Sequence, residues 1–357
     1  MYLYDNFESG FSIIKIFSLG ALGFLWAFLS TPALTHFLYK NQLWRKEVRT
    51  KSIDGKDLSV FQKYHSEGET KVPRFGGLLI WVTTLILSFL FFFLSKTDIW
   101  WFQKLNFLSR SQTWLPLFTL VAASLIGLAD DLMQTVVRGK YIGGGLSLKY
   151  RFISVFLIGL VGAWWFYFKL GINTLHVPGI GDFHMGIWYI PLFIITMLAT
   201  YSGGVIDGLD GLAGGSFASM FAAFAGIALF RGQIDLAAFC IVIVGTILAF
   251  LWFNIPPARF YMGETGILGL TATLTVVSFL TDSVLVLPII GFLLVMESGS
   301  VIVQLLSKKI RNKKIFLASP IHHHFEAKGW PSYKITMRFW IIGIVMTIIG
   351  VAIRLLG

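Results

Sequence analysis

Ten apolar stretches, each near the length that crosses a bilayer, follow one another along this chain. They fall at about 17–39, 76–94, 114–129, 152–168, 187–201, 212–230, 236–253, 266–281, 285–306 and 338–356. The chain has 357 residues, 56% of them hydrophobic and only 13% charged, which is far from the composition of a soluble globular protein. The expectation is an all-α polytopic integral membrane protein of about ten transmembrane helices. No polar block is large enough for a soluble domain, so residues 1–357 are read as one integral membrane domain. The single cysteine, Cys240, lies inside an apolar run, which excludes an internal disulfide and a CxxC metal site. Asp5 and Glu8 precede the first run, and the basic start and small-residue cleavage pattern of a signal peptide are missing, so that run is expected to stay.

Lysine and arginine orient the spans. Of 29 such residues, 21 fall in the loops after the odd-numbered spans and 7 on the other side, with Arg338 at a boundary. The positive-inside rule then puts the odd-numbered loops in the cytoplasm and both termini outside. This sorting has a consequence for the acids. Asp130, Asp131, Asp207, Asp210, Glu264 and the run His322 to His324 all fall at the cytoplasmic side, whereas Asp98, Asp182, Asp235 and Asp282 are external and isolated from one another. One cytoplasm-facing cavity built from four loops is the economical reading.

The segment DGLDGLAGG, residues 207–215, sets two carboxylates and four glycines in apolar surroundings. Ionised groups next to hydrocarbon are costly, so acids at span ends often line a cavity, bind a cation or carry chemistry. On a helical turn Asp207 and Asp210 share a face, and the alternative is a plain helix start with an N-cap Asp. In GLADDLM, Asp130 and Asp131 repel one another and suit a hard divalent cation, or are simply a solvated span end. RGKYIGGGLSLKYRF surrounds a glycine run with Arg138, Lys140, Lys149 and Arg151, and KVPRFGG sets Lys71 and Arg74 beside two glycines. Both segments could hold an anion, although basic residues at a membrane edge also serve as topology anchors. FNIPPARFYMGETG brings together Asn254, Tyr261 and Glu264, where a base could stack on the ring and the carboxylate could hold metal; loop packing is the alternative. The three adjacent histidines of PIHHHFEAKGWP cannot all face one way, which argues against a three-histidine zinc site and for phosphate or sugar binding, or for a solvated loop. Glu297 sits within the ninth apolar run, where a functional carboxylate and a helix break at Ser298, Gly299 and Ser300 are equal readings.

Taken together, ADD, DGLDGLAGG, FN followed by MGETG, and PIHHHFEAKGWPSYKITMRFW resemble the phospho-N-acetylmuramoyl-pentapeptide transferases. These belong to the polyprenyl-phosphate N-acetylhexosamine-1-phosphate transferase superfamily. The resemblance runs in the family's order from residue 71 to residue 340, and its histidine block is the most specific part. It implies transfer of phospho-N-acetylmuramoyl-pentapeptide from its UDP nucleotide to undecaprenyl phosphate in the bacterial cytoplasmic membrane, giving lipid I and UMP, with Mg2+. By this resemblance Asp130, Asp131 and Glu264 are expected to be catalytic, with Asp131 and Glu264 holding the metal. Lys71, Lys149, Arg151, Asp207, Asp210, Asn254, Tyr261, His322, His323 and His324 are the expected substrate-binding residues. Expected partners are the nucleotide, undecaprenyl phosphate, membrane lipid and a second copy in a homodimer, with no nucleic acid.

The chain departs from the family's pattern at chemical positions. Tyr201 and Gly204 stand where two asparagines are usual before DGxDG, Gln134 where a lysine usually follows the paired aspartates, and Glu264 where MGD is usual. Glutamate keeps the charge but moves the carboxylate by about 1 Å, a displacement catalysis tolerates poorly unless the site has adjusted. Two alternatives remain at this level. One is transfer of another N-acetylhexosamine-1-phosphate; the other is a transporter with a cation site, although no paired broken segments of the kind transporter repeats show are visible.

Overall fold

The computed structural model describes residues 2–46, 48, 70–135 and 145–357. Every one of the ten apolar runs forms helix, because a chain in lipid has no water to satisfy its backbone and must pair it internally. The helices are α1 (Tyr2–Lys40), α2 (Gly77–Leu94), the short α3 (Trp100–Leu105), α4 (Trp114–Thr135), α5 (Leu148–Trp164, extended by a π-turn at Trp165–Lys169) and α6 (Tyr189–Ser202). They continue with α7 (Leu212–Phe230), α8 (Ile234–Asn254), α9 (Glu264–Leu280), α10 (Leu287–Ile290), α11 (Phe292–Arg311), α12 (Ile321–Ala327) and α13 (Ser332–Leu356). Among the described residues there is one addition to the all-helical expectation, an antiparallel hairpin between α5 and α6 made of β1 (Thr174–Val177) and β2 (Gly181–His184).

Among the described residues, eight helices are long and apolar enough to cross a membrane, and a ninth span arises if α10 and α11 count as one. The remaining run, α9, has only 17 residues. Its environment explains the length: Thr265 through Phe279 are buried without interruption, so α9 is surrounded by protein and need not match the lipid on its own. It packs against α4, α6 and α2. Its hydroxyls bond back along the helix, as from Thr271 to the Ile267 carbonyl at 2.8 Å and from Ser278 to Thr275 at 2.7 Å, which keeps polar groups satisfied inside the bundle. Small residues allow close approach. An added Cβ at Gly127 of α4 would sit 2.1 Å from the Glu264 carbonyl oxygen, so the two backbones touch where the site begins.

Two expectations need correcting. The ninth run breaks at Gly291, where α10 and α11 bend by 77°, and not at residues 298–300; helix α11 runs unbroken through Glu297. The break follows from the early end of α10, whose last turn closes with the Gly291 N–H on the Leu287 carbonyl at 2.7 Å. The acids at the opposite end of the bundle are not all isolated either. His176 pairs through Nδ1 with Asp182 at 2.8 Å, and its backbone N–H donates to Asp282 at 3.3 Å, because the hairpin folds over the α9–α10 connection. At that same end Lys15 is joined to Asp235 at 2.7 Å.

Candidate active site

The end of the bundle opposite the hairpin gathers the acidic motifs. Adjacent positions on a helix point about 100° apart, so the two aspartates closing α4 reach different partners. Asp131 turns to α9, where its Oδ2 accepts the Thr265 backbone N–H at 2.8 Å and so caps one of the orphan donors of a helix start. Asp130 turns to α5. Its Oδ2 accepts from Arg151 Nη2 at 2.8 Å and from Gln134 Nε2, one turn on, at 2.8 Å, while its Oδ1 accepts the Leu146 N–H at 2.5 Å. Arg151 also reaches Glu264 through Nη1, at 2.5 Å from Oε1. One guanidinium therefore links carboxylates 134 residues apart, on α4 and on α9.

The DGLDG loop is not helical, which corrects the expectation that its two aspartates share a helix face. Asp207 ends a 3₁₀ turn with ψ 53°, and Gly211 has φ +78°, a left-handed conformation that glycine adopts without strain. The aspartates instead hold two points of the loop between α8 and α9. Asp207 Oδ2 accepts the Gly263 N–H at 3.2 Å, and Asp210 Oδ2 accepts the Ala258 N–H at 3.1 Å. Asn254, buried, stitches the same two loops: its Oδ1 accepts the Gly211 N–H at 3.0 Å and its Nδ2 donates to the Phe260 carbonyl at 2.9 Å. Tyr261 lies on that loop, whose backbone pairs with residues 73–77 through Tyr261 N to Pro73 O at 2.8 Å and Gly76 N to Tyr261 O at 2.8 Å. This pairing draws the KVPRFGG segment to the site. Burial raises the Asp207 carboxyl to about 6, against the opposing pull of the Arg74 charge and the Gly263 N–H.

The three histidines go to three partners, as their succession on a helix requires. His322, fully buried, pairs through Nδ1 with Glu297 Oε2 at 2.9 Å; His323 pairs with Glu326 at 2.6 Å; His324 Nδ1 accepts the Leu317 N–H at 3.1 Å. An acceptor nitrogen carries no proton, and burial together with Lys328 lowers the His324 pKa in keeping with that. His322 reaches the DGLDG loop, since a Cβ added to Gly208 would lie 2.1 Å from its Nε2. Glycine at 208 is thus a packing requirement.

The acidic cluster, Asn254, Tyr261, Arg151 and His322 are drawn into one region, whereas Lys71 and Lys149 are exposed at its margin. Arg138 and Lys140 lie outside the described residues. Two participants escaped the sequence reading. Arg45 was one cation among many in its loop, and it is buried against Gln134. Arg74 carried a reading only as a possible anion holder, and its charge acts on Asp207. Among the described residues three carboxylate oxygens are buried with no hydrogen-bond partner: Asp131 Oδ1 and Glu264 Oε2, and Glu297 Oε1 beside His322. Carboxylate oxygens left bare in a protein interior are the kind of donor a hard divalent cation takes.

Residues 113–282 match the family described as glycosyl transferase family 4, and with that match the α-helical membrane bundle is a phosphoglycosyl transferase. Within that class the chain is similar to proteins named phospho-N-acetylmuramoyl-pentapeptide-transferase. The one from Levilactobacillus brevis is 38% identical over 287 residues, covering 80% of this chain and 85% of the relative. That of Geobacillus thermodenitrificans is 36% identical over 79% and 83%, and that of Listeria innocua 32% identical over 96% and 99%. The chain belongs to the phospho-N-acetylmuramoyl-pentapeptide-transferase family.

Proposed function

We propose that this protein moves phospho-N-acetylmuramoyl-pentapeptide from its UDP nucleotide to undecaprenyl phosphate, releasing UMP and forming lipid I. The observation that carries the reading is the convergence of four separate segments, ending α4, joining α6 to α7, starting α9 and forming α12, on one end of a bundle with this family membership. Chemistry at a pyrophosphate needs charge neutralisation and alignment more than covalent assistance. A phosphate oxygen of the lipid attacks the phosphorus bearing the sugar, a new P–O bond forms, and the P–O bond to UMP breaks.

Asp130 orients that nucleophile, itself held by Arg151, Gln134 and the Leu146 N–H. Asp131 and Glu264 would hold Mg2+ through their unpartnered oxygens, and the ion when bound supplies charge neutralisation on the phosphates. Asp207 and Asp210 set the two loops against which the nucleotide lies, with Asn254 between them and Tyr261 offering a ring face to the base. Lys71, Lys149 and Arg151 supply positive charge toward the phosphates, and His322, His323 and His324 meet the sugar or phosphate side of the substrate. The reading includes one integral domain in the cytoplasmic membrane with the site toward the cytoplasm, lipid around it, and a homodimer as the assembled form.

Purified protein supplied with undecaprenyl phosphate and either UDP-N-acetylmuramoyl-pentapeptide or UDP-N-acetylglucosamine tests the assignment. UMP release and a lipid-linked product are expected with the muramoyl-pentapeptide nucleotide. Preference for the other nucleotide would assign a different sugar phosphate to the same lipid, and release with neither would reject the enzyme.

A further inference from the structure

Gln134 sits between a cation and an anion. Arg45, 6% exposed, directs Nε to Gln134 Oε1 at 3.1 Å and its Nη2 to the same oxygen, while Gln134 Nε2 donates to Asp130 Oδ2 at 2.8 Å. The orientation of the amide follows from charge: only its oxygen can face a guanidinium, and only its nitrogen can face a carboxylate. A lysine in this place would confront Arg45, and a glutamate would confront Asp130. The side chain at 134 is therefore matched to a positive charge that the segment after α1 brings in, 89 residues away in sequence.

We infer that Arg45 is a positioning residue for the reaction, acting on Asp130 through the Gln134 amide. Polarised by the guanidinium, the amide N–H binds the carboxylate more tightly than a neutral amide alone, since linked hydrogen bonds reinforce one another in low-dielectric surroundings. Asp130 then keeps one orientation, with Arg151 on the same oxygen and the Leu146 N–H on the other. Arg151 brings positive charge to Asp130 directly, and Arg45 adds to it through an amide that transmits the charge without repulsion.

The inference rests on the proposed transfer reaction, and its test separates the two. UMP release is measured with the full-length protein in detergent, alongside single and double variants, with kcat and the nucleotide KM determined for each. Arg45→Met is expected to lower kcat at least tenfold with KM changed less than threefold. Gln134→Lys alone is expected to lose a similar factor, and combining it with Arg45→Met is expected to restore kcat to within about threefold of the parent, because each single change disturbs the charge match that the pair restores. If Arg45→Met does not accumulate as folded protein, Gln134→Lys with and without Arg45→Gln carries the same comparison. An Arg45→Met enzyme with the parent's kcat, or a double variant no better than its singles, overturns the inference while leaving the transfer reaction standing. A parent that releases no UMP overturns the reaction and the inference together.

Discussion

The carboxylates proposed to carry the chemistry are wholly or partly buried at a cost to the fold, and single substitutions expose both sides. Asp207 has its carboxyl raised to about 6, so the native state binds more protons than the unfolded chain between the ordinary value of 3.8 and about 6. Its contribution therefore falls as pH rises through that window and stays low above it. Asp207→Asn removes the buried charge, and the expected outcome is a higher thermal midpoint at pH 8, a flatter pH profile between 4 and 6, and turnover reduced at least about tenfold. Thermal melts across pH and UMP release check the two halves. Glu264 tests the proposed metal role. Its Oε1 is engaged by Arg151 and its Oε2 has no partner, so Glu264→Gln is expected to lose Mg2+-dependent UMP release. Glu264→Asp withdraws the carboxylate from Arg151 and is expected not to improve on the parent in the same Mg2+ titration. Asp130, by contrast, has both oxygens bonded, which separates its role from that of its neighbour.

Helices meet at this site through glycine, and element packing sets its geometry. The α4–α9 contact depends on Gly127, where a methyl group would run into the Glu264 carbonyl. Gly127→Ala is expected to destabilise by roughly 1–3 kcal/mol, the range for overpacking, and to lower kcat, because it shifts the helix start that carries Glu264 and Thr265. A melt and a turnover measurement on the same preparation test this. The packing of α11, α12 and the DGLDG loop is set by one buried pair: Glu297 holds His322, and His322 abuts Gly208. Glu297→Leu strands the histidine in an apolar setting, and its expected signature is a lost melting transition or a midpoint lowered by several degrees. Sequence reasoning left a helix break and a functional carboxylate open for this acid. Helix α11 is continuous there, and the partner, 25 residues away, was not visible from local pattern.

Across the whole molecule, the surplus of lysine and arginine on the side of the acidic site predicts that this end faces the cytoplasm. Cys240 is the only cysteine and is buried, which makes cysteine labelling clean. In intact cells an impermeant thiol reagent is expected to modify Gln103→Cys, at the hairpin end, and to modify Asn312→Cys, at the site end, only after the membrane is opened. The reverse pattern would invert the topology. The sequence by itself determined that the chain lies in a membrane, where its ten helical segments fall, and which loops carry acids and histidines. These are local properties, because the cost of placing a charge or an unpaired backbone group in hydrocarbon acts residue by residue. Tertiary structure decided who partners whom. Arg151 joins Asp130 to Glu264, Asp131 caps the Thr265 N–H from 134 residues away, and Arg45 reaches Gln134. It also decided that Asp207 and Asp210 bind separate points of one loop and do not share a helix face. The physical reason is that such pairs depend on how closely helices approach and on which oxygen is left over after the backbone has been satisfied, and neither quantity is written in any single stretch of the chain.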